Sequence, residues 1–81
     1  MTTKTQARAL ERLERERSIP LERYQEDGCE SREEYLRDIA DQYGISLDTV
    51  ITLADILGGD EDFDGLISMA EDAETVEAYR G

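Results

Sequence analysis

A chain of 81 residues accommodates one domain with one small core and leaves no room for a separate catalytic domain. Twenty-one acidic groups against nine basic ones give a net charge of -12, which opposes direct binding of nucleic acid, and no run reaches the roughly twenty apolar residues of a membrane span. The single cysteine, Cys29, has no partner for an internal disulfide, and the absence of histidine removes both a His-paired thiol nucleophile and a Cys/His zinc site. An inert free thiol in a reducing compartment is therefore expected. With no apolar secretory run in residues 1–6, the expected location is cytoplasmic.

The charge is unevenly spread. Residues 1–23 hold six basic and four acidic groups, a net of +2, whereas the remainder holds three against seventeen, a net of -14. Two segments follow: residues 1–30, mixed in charge, helical and expected to be partly flexible, and residues 31–81, an acidic compact helical domain.

In chain order, Ala7, Leu10 and Leu13 place a thin apolar stripe on a helix over residues 4–17, supported by Glu11 and Arg15 in the favourable i,i+4 order. Ser18 and Pro20 interrupt it, and a short helix from Pro20 to Glu26 stops at Gly28. Ser31 and Glu34 form a capping-box pattern ahead of Tyr35, Leu36, Ile39, Ala40 and Tyr43, which share one helical face. Gly44 supplies a left-handed stop, and Ser46 caps a further helix carrying Leu47, Val50, Ile51, Leu53, Ala54, Ile56 and Leu57. This most apolar segment is expected at the centre.

Gly58-Gly59 ends that helix, and Phe63, Leu66, Ile67 and Ala70 recur at helical spacing, so another helix is predicted from Asp62, which would cap it. A last helical stretch through Val76 and Tyr79 completes the chain. The expected fold is all-α, a small bundle of four to five short helices. The four tyrosines, Tyr24, Tyr35, Tyr43 and Tyr79, are expected as half-buried edges of the core.

Residues 39–53, IADQYGISLDTVITL, place a small residue at Ala40, glycine at Gly44, an apolar residue at Ile45, and Val50 and Leu53 facing inward. This frame resembles the helix-turn-helix family over about fifteen residues. The resemblance implies a helix-turn-helix-like unit in which Ser46, Leu47, Asp48, Ile51 and Thr52 would face DNA. None of the five supplies a cation to a phosphate, so a scaffold that does not read DNA is expected.

Asp60, Asp62, Asp64, Gly65 and Glu71 fit the calcium-loop pattern, and the stretch resembles an EF-hand. That resemblance implies carboxylate ligands from Asp60, Asp62 and Asp64, the Leu66 carbonyl, a water contact at Ser68 and a bidentate Glu71. The helical period of Phe63, Leu66, Ile67 and Ala70 runs through the same residues, and a helix there excludes the loop. A helix cap and an acidic face are the preferred reading, with no cofactor; calcium binding by one divergent loop is the alternative.

No phosphate-binding loop, nucleophile elbow or metal-ligating histidine pair occurs, and exposed carboxylates lack the cleft that general acid/base work needs, so the chain is expected not to be an enzyme. The remaining feature is an acidic helical surface. Asp38, Asp41, Asp48, Asp55, Asp60, Glu61, Asp62 and Asp64 are the candidates for an acidic face that imitates nucleic acid and captures a basic protein partner. In size and charge the chain resembles the small inhibitors encoded by phages and mobile elements, anti-CRISPR and anti-restriction proteins among them. Three alternatives stay open: an apolar docking patch around Tyr35, Ile56 or Phe63; an antitoxin-like or helix-turn-helix regulatory role; and homodimerisation through the first helix.

Overall fold

The computed structural model describes residues 3–80, and side chains up to residue 74; Val76 and Tyr79 lie outside the described side chains. Five α-helices and one 3-10 turn follow in order: α1 (Lys4–Arg15), α2 (Leu21–Glu26), α3 (Arg32–Tyr43), α4 (Leu47–Leu57), the turn Gly59–Glu61, and α5 (Gly65–Arg80). There is no strand among the described residues, and the fold is an all-α bundle.

Local chemistry sets most boundaries. Thr3 caps α1 by accepting from the Gln6 amide at 3.1 Å while the Gln6 side chain accepts from the Thr3 amide at 2.9 Å, a complete capping box. Ser31 accepts from the Glu34 amide at 3.2 Å and Ser46 from the Thr49 amide at 3.1 Å, as their positions predicted. Gly44 takes φ +66° and closes α3, with the Ile45 amide returning to the Ala40 carbonyl at 3.0 Å, the bond of a Schellman stop.

Three expectations change. The α1 stripe is thin and its Ala7 is exposed, yet Leu10 and Leu13 are buried in one cluster with Leu36, Val50 and Leu66, so α1 contributes to the same core as the later helices. Among the tyrosines with described side chains, Tyr24 and Tyr35 are buried and Tyr43 is the half-buried edge that was expected. Asp62 does not cap the last helix. That helix starts at Gly65, whose amide donates to Glu61 Oε2 at 3.1 Å, and it continues unbroken to Arg80.

Asp62 instead turns inward. Its carboxylate accepts from Arg32 Nε at 2.7 Å and Nη2 at 3.0 Å, and from the Tyr24 hydroxyl at 2.5 Å, while its backbone carbonyl accepts from the Tyr35 hydroxyl at 2.8 Å. Arg32 Nη1 donates to the Leu13 carbonyl at 2.6 Å, so one buried guanidinium joins the end of α1, the start of α3 and the turn before α5. Burying two charges is costly unless their hydrogen bonds are met, and here the Tyr24 hydroxyl and the Leu13 carbonyl supplement the pair while the Tyr35 hydroxyl holds the Asp62 backbone. Tyr24, Tyr35 and Phe63 pack ring against ring beside it, with centroids 4.7 to 5.3 Å apart.

Candidate functional site

On α3, burial of Tyr35, Leu36 and Ile39 turns the opposite face to solvent, and Glu34, Asp38 and Asp41 lie on it at i, i+4 and i+7. None of the ion pairs among the described residues engages these three carboxylates. Gly28, at φ +84°, lets the chain leave α2 so that Asp27 stands beside the row. Asp27, Glu34, Asp38 and Asp41, together with Cys29 and Arg37, line a depression of about 320 Å³. Arg37 offsets part of this charge, but its Nε is held 3.3 Å from Glu33.

Cys29 is only 4% exposed, and burial raises its thiol pKa, with Asp38, Glu34 and Asp27 pushing the same way. A protonated, covered thiol ringed by carboxylates is a poor nucleophile.

A second groove of about 390 Å³ adjoins the first and shares Asp27 and Asp38 with it. Its walls include the half-buried Tyr43, Phe63 and Ile67, with Gln42 at the rim. Arg23 lies across Phe63 with its guanidinium carbon 4.0 Å from the ring centroid, and its Nη1 is 3.6 Å from Asp27.

The other acidic candidates are placed elsewhere. Asp48 accepts from Gln6 Nε2 at 2.8 Å and Asp55 pairs with Arg12 at 2.8 Å, so both acids of α4 fasten α1 to it. The same pairing, together with Glu16, raises the Arg12 pKa, the Asp55 hydrogen bond being the main cause. Asp60 and Asp64 are exposed, and Glu61 is spent on the Gly65 amide. Asp62 is fully buried and cannot belong to any partner-binding face, because Arg32 and Tyr24 occupy its oxygens.

The calcium-loop geometry is absent for the same reason. Leu66, Ser68 and Glu71 lie within α5, where backbone carbonyls point along the helix instead of converging on an ion. Among the described residues no group of three or more acidic or cysteine side chains is arranged to hold a metal.

Sequence reasoning missed Asp27, Glu34 and the Arg23–Phe63 contact. Glu34 was visible at helical spacing from Asp38 and Asp41, whereas Asp27 reaches the face only through the turn at Gly28. No helix among the described residues is long and apolar enough to cross a membrane. Comparison of the chain with protein-family models, curated proteins and solved structures finds no match.

Proposed function

We propose that the chain is a non-enzymatic binding protein whose α3 face captures a basic protein surface, in the manner of a nucleic-acid mimic that blocks a nucleic-acid-binding protein. The observation that carries this reading is the row of Glu34, Asp38 and Asp41, exposed and outside the ion pairs among the described residues, with Asp27 alongside. Along α3 a carboxylate recurs about every 5 Å. A single DNA strand carries one phosphate per about 3.4 Å of axis, and Asp27 brings the local density nearer to that value. The likeness in size and charge to phage and mobile-element inhibitors of the anti-CRISPR kind agrees with this role.

The α3–Gly44–α4 unit then serves as a helix-turn-helix-like scaffold. Its α4 has no lysine or arginine, exposes Asp48, Thr52, Asp55 and Ile56, and carries nothing to replace the counterions of a phosphate backbone. A catalytic role has no support in the buried Cys29 or in the solvated carboxylates. Homodimerisation through α1 is disfavoured because Leu10 and Leu13, the stripe it would use, are consumed inside the chain. A second reading rests on Ile56, which is 74% exposed and would anchor an apolar partner.

The test is affinity capture with identification of the partner, followed by binding measurements for three variants. Asp38→Lys/Asp41→Lys is expected to weaken binding by about tenfold or more and to reduce its salt dependence. Unchanged affinity in that variant would sink the acidic-face reading, and loss confined to Ile56→Glu would install the apolar one. Asp60→Lys/Asp64→Lys is expected to have little effect.

A further inference from the structure

We propose that the groove between α2, α3 and the start of α5 receives an arginine side chain of the basic partner, with the guanidinium at Asp38 and Gln42 and the stem along Tyr43 and Ile67. This rests on the acidic-face reading and names the side chain that the face selects. Three observations converge on it.

The first is that the protein already holds a guanidinium in this wall. Arg23 lies 4.0 Å from the Phe63 centroid and 3.6 Å from Asp27, a cation on an aromatic face with a carboxylate at its edge. The lining of the groove also holds a further aromatic residue, Tyr43, and a further carboxylate, Asp38. Arg23 is already engaged with Phe63 and Asp27, and no side chain of the described residues forms an ion pair with Asp38.

The second is the chemistry of the lining. A planar, weakly hydrated guanidinium on an aliphatic stem suits a surface that is apolar at its wall and acidic at its rim, whereas a compact, strongly hydrated ammonium gains little from the wall. Gln42 adds a side-chain carbonyl that accepts from a further N–H of the fork. The volume of 390 Å³ lies within the range of about 300–1,000 Å³ typical of ligand clefts, sufficient for one long side chain.

The third is continuity. Because Asp27 and Asp38 belong to both depressions, a basic segment lying along α3 meets the carboxylate row and the groove together. The row attracts any polycation; the groove distinguishes one cation from another.

The test titrates the isotope-labelled full chain with hexa-arginine, hexa-lysine and hexa-citrulline peptides, following amide shifts. Hexa-arginine is expected to shift Gln42, Tyr43, Phe63 and Ile67 saturably and to bind about two- to fivefold tighter than hexa-lysine. Hexa-citrulline, of similar shape but uncharged, is expected not to bind. Asp38→Asn alters an exposed residue and leaves the core intact, and it should weaken hexa-arginine by about two- to fivefold. Tyr43→Leu should erase the preference for arginine over lysine.

Shifts along Glu34 and Asp41 without any in the groove, or equal affinity for arginine and lysine, would overturn the arginine site while leaving the acidic face standing. Shifts confined to the groove would do the reverse. If no peptide shifts any of these residues, both fail.

Discussion

Arg32 and Asp62, thirty residues apart in the chain, meet as a two-pronged ion pair with exposures of 1% and 0%. A pair sealed in this way gives little net stability over an apolar substitute, but each partner is very costly to remove alone. Asp62→Asn or Arg32→Met should cost about 3–5 kcal/mol by denaturant unfolding, a large share of the stability of a domain this size. The double variant Arg32→Met/Asp62→Leu should regain much of that loss. If it unfolds as readily as either single variant, the ion pair does more than compensate its own burial.

The tyrosines on Asp62 set an alkaline limit. Burial is the main cause that raises both hydroxyl pKa values, with Asp62 reinforcing it at Tyr24 and Asp27 and Asp62 at Tyr35. Unfolded tyrosine ionises near pH 10, so the native state holds these protons after the unfolded chain has released them. Stability from this source is fully present below about pH 10 and falls above it, by about 1.4 kcal/mol per pH unit for each tyrosine. Tyrosinate absorbance should therefore rise together with loss of helical circular dichroism. Ionisation of Tyr24 and Tyr35 near pH 10 with helicity retained would contradict this.

Gly59 is placed by close approach. A Cβ there would lie 2.8 Å from Ser18 Oγ, 3.1 Å from the Ser18 amide nitrogen and 3.2 Å from the Glu16 carbonyl oxygen. Gly59→Ala should destabilise by about 1–3 kcal/mol, as overpacking does. Adding Ser18→Ala should recover only part of this, since two of the three atoms are backbone. Thermal unfolding of the double-mutant cycle measures the share.

The acids of α4 and α3 should behave differently. Asp55→Asn removes the exposed pair with Arg12 and is expected to lower the unfolding midpoint only slightly, with the loss fading at high salt. Partner affinity should hardly change. Asp41→Asn should do the opposite, lowering partner affinity while leaving the unfolding midpoint within error.

Calcium is expected to leave the unfolding midpoint where it stands, because α5 runs through the residues that would have to form a loop. A saturable rise in the midpoint with calcium, unmatched by magnesium, would mean that residues 60–71 rewind around the ion.

Legibility in the sequence followed the range of the interactions. The caps at Ser31 and Ser46 and the stop at Gly44 depend on residues three to five positions away, and each lies where the pattern put it. The Thr3–Gln6 box was equally readable, although only the helix it begins was anticipated. Arg32 and Asp62 carry no local mark of their pairing. Arg32 follows a cap, where charged residues are usually solvated, and Asp62 sits in an acidic run that reads as a helix start. Likewise, Leu10 and Leu13 form a narrow stripe whose depth depends on what covers it, and that cover comes from helices later in the chain. Of the acidic candidates, Asp38 and Asp41 needed only the helical period to be placed together. The fates of Asp48 and Asp55 depended on where α1 would dock.

The docking of α1 on α4 gives the molecule polarity as well as charge. Arg12 is matched by Asp55 and Gln6 by Asp48, and four of the nine cations lie on α1, whereas no ion pair among the described residues engages Glu34, Asp38 or Asp41 of α3. Such a body is an electric dipole on an overall anion. If α3 is the face that captures a basic surface, the field of that surface exerts a torque in addition to attraction, and the torque would turn α3 forward before the two surfaces touch. Fewer encounters are then wasted on the wrong face, so reversing a cation of α1 far from the interface should slow association while leaving dissociation unaltered.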